Sequence, residues 1–324
     1  MKIAWLTKFK GIESTNVGMI AALEELGHQV MVTNSQKYAT RGHHEEALRS
    51  FLEDCQKADA CVVTKGNWIP KNRFQWLANQ VDLTMFIPDS ISVGPPGRDI
   101  EHGHRALMCN RVILTGTEGA RWLRENGYRN RIAQIYQGYR PDVWRRKEKY
   151  TTNTQIVFLG SVYKGDGNRR AKMNAITRAG FTMHYHRRTF MEKAAKLYYN
   201  TPISINFNCG DITSNRVMRI MASRGFCLSQ SNADIKHSFS NGTELAWWDE
   251  PEGDSISEKA MLDSIRYWLD HENARNLVAE TGYEWAKNKT WVDQMEKHIR
   301  FIQGEIVPAD GAASPYVEDQ NTPN

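Results

Sequence analysis

The run ISINFNCGDITSNRVMRIMASRGFCLSQ, Ile203–Gln230, constrains the fold more than any other stretch. Ile203–Phe207 is β-prone, and Asn208–Ser214 is a turn of small and polar residues. Asn215–Ser223 places Val217, Met218 and Met221 at helical spacing. Arg224-Gly225 ends that helix and Phe226-Cys-Leu opens another strand. A polar loop entering a helix presents backbone N–H groups, and Ser214 or Asn215 is expected to cap them. This is the physics of an anion site, most often for phosphate.

The same alternation runs through the rest of the chain. Strands are expected at Lys2–Thr7, Gln29–Thr33, Ala60–Thr64, Thr84–Pro88, Arg111–Thr115 and Ile132–Tyr136, with helices at Val17–Leu26, Glu45–Lys57, Arg73–Asn79 and Glu118–Asn126. Ile91–Gly103, with Gly94-Pro-Pro-Gly97, reads as a loop that delivers His102 and His104. Arg145–Tyr150 is a charged, unpatterned linker. A second α/β half then starts at Ile156–Leu159, followed by a glycine-rich turn around Ser161, Lys164 and Arg169 and a helix over Ala171–Ala179. The fold class is α/β, two Rossmann-like domains. The expected boundaries are 1–145, 151–290, a helix at 291–304 and a flexible tail at 305–324.

The chain of 324 residues has room for two domains of ordinary size. No stretch has the apolar length of a membrane helix, and the N-terminal run lacks signal-peptide features. The five cysteines (Cys55, Cys61, Cys109, Cys209, Cys227) show no C-x-x-C spacing, and reduced core thiols of a cytoplasmic protein are expected. The first domain has no G-x-G-x-x-G, which disfavours a dinucleotide cofactor. His102 and His104, two apart, make no metal pattern with a third ligand. The net charge of +5 is unevenly spread. Residues 120–190 hold 16 lysines and arginines against 4 aspartates and glutamates, and the remainder is acidic. A basic middle suits an anionic partner, although solvated helix faces would look the same.

The pattern from Asn208 through Arg216, Val217, Ala222 and Gly225 to Phe239, Gly242 and Glu244 resembles the donor-binding half of GT-B glycosyltransferases. It is most similar to the spore-maturation-protein-like branch of glycosyl transferases group 1. Gln137-Gly-Tyr-Arg-Pro-Asp-Val-Trp144 is similar to the string at those enzymes' N-terminal domain exit, and Gly160–Arg170 to their G-S/T-x-Y-x-N-R-R segment. The chain departs from the pattern at Arg219, where relatives carry a glutamate on the ribose. The resemblance implies a GT-B fold, with two domains facing across a cleft and a C-terminal helix crossing back. It also places the first loop, with Gly11, in that cleft and Glu244 on the ribose hydroxyls.

Transfer from a nucleotide sugar breaks the bond between the anomeric carbon and a diphosphate, and negative charge grows on the leaving group. Proteins meet that charge with a divalent metal or with fixed cations and a helix N-terminus. The sequence contains no Asp-x-Asp. The expected route is therefore metal-free, through Lys164, Arg169, Arg216 and the amides after Ser214, with Ser161, Asn208, Asp211 and Asn215 lining the donor. No cofactor is expected beyond the donor itself, a UDP-linked sugar. Asp89, just past a parallel strand, is the expected acceptor base, with His104 behind it. The acceptor expected first is a hydroxymethylated base in DNA, an acceptor known for GT-B enzymes of viral origin. The alternative is a surface or spore polysaccharide, lipid or protein. From another class, the chain reads as a non-catalytic nucleotide-sugar or nucleic-acid binding module.

Overall fold

The computed structural model describes residues 1–8, 15–34, 44–91, 100–145, 152–160, 162, 167–186, 189, 191–208, 210, 212–249, 258–311 and 317. Gly11, Ser161, Lys164, Asp211 and Cys209, singled out above, lie outside them. The chain divides into two units. One comprises Met1–Gly138, Cys209–Thr213 and Trp291–Asn324; the other comprises Tyr139–Asn208 and Ser214–Thr290.

The first unit carries strands β1 (Lys2–Thr7), β2 (Gln29–Asn34), β3 (Ala60–Thr64), β4 (Leu83–Ile87), β5 (Arg111–Leu114) and β6 (Arg131–Gln134). They form one parallel sheet in the order β2-β1-β3-β4-β5-β6. Its helices are α1 (Thr15–Glu25), α2 (His44–Cys55), α3 (Lys71–Ala78), α4 (Ile100–Ala106) and α5 (Thr117–Glu125), joined by α13 (Trp291–Ile302) from the end of the chain. β3 and β4 are buried at every position, because both faces of a parallel sheet are covered. Val62, Phe86 and Ile113 pack with Met19 of α1 and Met295 of α13. Their strand neighbours Val63, Met85 and Val112 pack with Phe51, Phe74 and Leu123 on the other face.

The second unit carries β7 (Ile156–Leu159), β8 (Met183–His186), β9 (Ile203–Asn206), β10 (Cys227–Gln230) and β11 (Ala246–Trp248). They form a parallel sheet in the order β11-β10-β9-β7-β8. Its helices are α6 (Pro141–Trp144), α7 (Gly167–Arg178), α8 (Met191–Asn200), α9 (Asn215–Ala222), α10 (Ala233–Ser238), α11 (Glu258–Asp270) and α12 (Glu272–Ala286). Among the described residues no helix is long and apolar enough to cross a membrane. Cys55, Cys61, Cys109 and Cys227 are buried free thiols.

Several elements differ from expectation for local reasons. His102 and His104 sit on α4, not after a loop, because the Pro-Pro-Gly signal ends before Ile100. α7 begins at Gly167, so Arg169 belongs to its first turn. Glycine and asparagine disfavour helix interiors more than first turns. α10 was not foreseen; Asn232 caps it, accepting the Ile235 N–H at 2.8 Å. The chain changes unit at Gly138, ahead of the charged run, because Val143 and Trp144 pack with Tyr198 in the second unit's core.

Nor does the stretch expected as a tail trail free as far as Gly311. Val307 is buried beside Met295. The Asp310 carboxylate, 3% exposed as a residue, accepts the Tyr136 N–H at 2.9 Å and pairs with Lys297. Asp310→Ala removes a charge-assisted hydrogen bond to a buried amide and should lower unfolding free energy by about 2 kcal/mol. A urea titration that superposes on wild type would show that the segment contributes nothing.

Candidate donor and acceptor sites

In open parallel sheets, ligands collect at the carboxyl ends of the strands where strand order reverses. In the second unit the reversal lies between β7 and β9, and there the structure brings together several of the expected donor residues. Arg216, in the first turn of α9, donates from Nε to the Leu159 carbonyl at 2.7 Å and from Nη1 to Asn206 Oδ1 at 2.6 Å. Its guanidinium lies 4.7 Å from the Phe158 ring centroid. Gly160 makes this approach possible, since a Cβ there would stand 2.4 Å from Arg216 Nη2. Arg169, 8% exposed, donates from Nη2 to the Phe207 carbonyl at 3.0 Å. Each of these bonds ends on a neutral oxygen, which orients a cation without cancelling its charge.

Asn206 is the hub of the network. Its Nδ2 donates to Asn208 Oδ1 at 2.7 Å and to Ser229 Oγ at 2.9 Å. Its Oδ1 accepts from the Ser214 hydroxyl at 3.1 Å as well as from Arg216, and Asn208 donates onward to the Gln230 carbonyl. Ser214 is the N-cap residue of α9, but its side chain makes no capping bond. Of the two expected capping residues Ser214 does not cap: its hydroxyl donates to Asn206 instead. Asn215 opens the helix.

Two expected features fall elsewhere. Glu244 precedes β11, whose Ala246 pairs with Leu228 of β10. β11 is the strand next to β10, and Glu244 stands at its amino end, whereas the network lies at the carboxyl ends of the parallel strands. The Glu244 carboxylate accepts the Ser240 N–H at 2.9 Å and closes a turn. Arg219 lies over the Trp144 ring at 5.1 Å, and Trp144 stacks on Tyr198 at 6.1 Å. The departure from the family pattern is thus packed as a cation–π pair. The sequence reading missed Lys172, one helical turn after Arg169. It is 2% exposed and donates to Gln230 Oε1 at 3.0 Å. The i,i+3 spacing on α7 was the available signal.

In the first unit the reversal lies between β1 and β3. Lys65 follows β3 directly, and its ammonium pairs with Asp89, which follows β4; the two side chains are 33% and 47% exposed. Gln137 donates from Nε2 to the Pro88 carbonyl at 3.0 Å and so fixes the backbone before Asp89. The histidine brought to this pair is His102, not His104. His102 is 3% exposed with Nδ1 at 3.4 Å from the Lys65 carbonyl. His104 is exposed on α4, its ring 5.8 Å from that of Trp122. Residues two apart on a helix point about 200° apart, so only one of the pair can face inward. Burial first, then the Lys65 charge, holds the His102 pKa below the ordinary imidazole value.

Among the described residues no three His, Cys, Asp or Glu side chains are grouped as a metal site would require. No curated protein sequence matches the chain significantly. Residues 142–299, just under half of the chain, match the family described as Glycosyl transferase-like. Among solved structures, HepE of Anabaena, in complex with UDP and glucose, is similar with a TM-score of 0.68 at 11% identity, over 94% of this chain and 99% of that one. OtsA is similar with a TM-score of 0.67 at 10% identity, over 95% and 100%. Sucrose-phosphate synthase from Thermosynechococcus elongatus is similar with a TM-score of 0.64 at 11% identity, over 94% and 98%. The fold is thus GT-B, its residues 142–299 carry the glycosyl transferase-like pattern, and the chain is a glycosyltransferase.

Proposed function

We propose that the chain moves a sugar from a UDP-linked donor to an acceptor hydroxyl, with arginines and backbone amides meeting the leaving diphosphate. The observation that carries this reading is the convergence of Arg169 and Arg216 at the β7/β9 reversal, beside the start of α9, whose N-cap residue Ser214 makes no capping bond. Asn208, Ser214 and Asn215 line the same edge, and Ser161, Lys164, Asp211 and Gly11 complete the proposed donor set. As the anomeric C–O bond breaks, charge grows on the diphosphate oxygens. Each charge-assisted contact there contributes about 1.5–3 kcal/mol net. Because the sequence has no Asp-x-Asp, this role falls to the protein's own cations and not to a divalent ion; turnover should survive a chelator. A UDP-linked donor is supported by the similar fold of HepE, which binds UDP and glucose.

Asp89 is the proposed acceptor of the hydroxyl proton. It stands at the carboxyl edge of the first sheet, half exposed and held in place by Lys65. The basic balance of residues 120–190 supports a polyanionic acceptor, and DNA carrying hydroxymethylated bases is the one proposed. Such an acceptor would put the reaction in the cytoplasm of a bacterium or an infected cell.

The test is release of UDP from UDP-sugars with hydroxymethylcytosine-containing DNA, followed by mass analysis of the digested nucleosides. Nucleosides heavier by one sugar are expected; unmodified nucleosides with every donor would remove DNA as the acceptor. Asp89→Asn should lower kcat about 100- to 1000-fold with little change in donor KM. Wild-type turnover in that variant would remove Asp89 from the chemistry.

A further inference from the structure

Lys65 has a left-handed backbone, with φ of 65°. For a residue with a Cβ this conformation is strained, and it persists only where the surroundings impose it. Three bonds impose it here. The Lys65 N–H donates to the Phe86 carbonyl at 3.0 Å and the Gly66 N–H to the Thr64 carbonyl at 2.8 Å. The third reaches the Lys65 carbonyl from His102 Nδ1 at 3.4 Å. Gly66 follows at φ of 64°, and a Cβ there would meet the Phe74 ring at 2.6 Å. The turn is thus clamped from the sheet on one side and from α4 on the other.

α4 is itself fixed. A Cβ at Gly103 would lie 2.6 Å from the Trp122 ring, so α4 rests directly on that indole. Arg105, 6% exposed, donates from Nη2 to the Ile69 carbonyl at 2.6 Å. His102 therefore has little freedom to move away from Lys65. Among the described residues, the charged groups facing it are Lys65, Asp89 and Arg105. Burial, then the Lys65 charge and last Arg105 disfavour its protonation, while Asp89 and the hydrogen bond to the Lys65 backbone favour it, with a net lowering. The ring is neutral at pH 7 and carries one N–H. Its Nδ1 faces a carbonyl, which can only accept, so the proton sits on Nδ1.

We propose that His102 is a positioning residue for the acceptor end: by donating from Nδ1 to the Lys65 carbonyl it holds the left-handed turn from which the Lys65 ammonium sets Asp89. The inference rests on the assignment of Asp89 to the acceptor proton. His102 acts only through Lys65. The proton of the acceptor hydroxyl goes to the Asp89 carboxylate, the hydroxyl oxygen bonds to the anomeric carbon, and the nucleoside diphosphate leaves with the electron pair of the broken bond.

Two measurements test the proposal. In full-length protein with 15N-labelled histidine, the His102 ring, identified by the signal lost in His102→Asn, should show a protonated Nδ1 and a bare Nε2. A ring protonated at Nε2 overturns it without reference to activity. The second measurement is turnover of UDP-glucose, with hydroxymethylcytosine DNA or water as acceptor. The Asn side chain can place an N–H where Nδ1 stands, so His102→Asn should keep kcat within about threefold of wild type. His102→Ala should lower kcat about 30-fold and leave donor KM within about twofold. Equal losses in the two variants, both folded by circular dichroism, overturn the proposal, as does wild-type kcat in His102→Ala. If His102→Ala does not fold, Lys65→Asn takes its place. Asparagine tolerates the left-handed backbone, and this variant should show the alanine-like loss with the His102 ring signals unchanged. Asp89→Asn run alongside separates the two ideas. Normal turnover there removes the Asp89 assignment, whereas a dead Asp89→Asn beside an unaffected His102→Ala removes only the role of His102.

Discussion

Arg216→Ala is expected to lower kcat by about 100- to 1000-fold, the range seen when a preorganised donor to a developing oxyanion is removed. The stability cost should be far smaller. The lost bonds run to the Leu159 carbonyl at 2.7 Å and Asn206 Oδ1 at 2.6 Å. The side chain is half-buried, so water can reach part of the gap, and about 2 kcal/mol covers both bonds. Arg216→Lys keeps the charge but cannot serve the carbonyl and the amide from one planar fork, so an intermediate loss of about tenfold is expected. Steady-state turnover and a denaturant titration on the same preparations decide the matter. If activity falls only as far as the folded fraction does, Arg216 braces β7 against α9 and nothing more.

Gly282→Ala should be the most damaging small substitution in the second unit. Gly282 lies within α12, where alanine would ordinarily gain about 1 kcal/mol of helix propensity. Here a Cβ would stand 2.3 Å from the Glu244 carbonyl oxygen and 3.3 Å from Met221 Cγ. The first is backbone, fixed in the turn that leads into β11, and it cannot swing aside as a side-chain tip can. Overpacking of this kind costs about 1–3 kcal/mol, and more where backbone has to move. A net destabilisation of about 3 kcal/mol is expected, read as an earlier denaturant midpoint in the transition that reports the second unit's tryptophans. A variant as stable as wild type would mean that α12 does not approach the Glu244 turn this closely.

These two positions show where sequence reading stops. Arg216 was legible because a polar turn followed by a helix start is a local signal, and the resemblance supplied the arginine's register. Its partners were not legible. Leu159 lies 57 residues away in sequence, and only the order β10-β9-β7 sets the two strand ends side by side. Gly282 gave no sign at all, since a glycine inside a helical pattern looks the same whether it faces water or another chain segment. The same limit explains His102 and His104: the residues were visible, but which of them meets Lys65 depends on how α4 is rolled against Trp122.

The sequence by itself determined the alternation of strand and helix, the division into two α/β halves, and the presence of cations near the loop after β7 and the start of α9. Those properties follow from hydrophobic period, turn residues and local charge, which act between near neighbours. The tertiary structure alone decided that Glu244 lies at the amino end of β11 and not at the carboxyl ends where Arg216 sits, that Arg219 rests on Trp144, and that Asp310 is anchored to Tyr136 and Lys297. Each of those outcomes depends on which distant segments are packed together, and burial makes such contacts specific because a buried charge or amide must find a partner wherever the fold provides one.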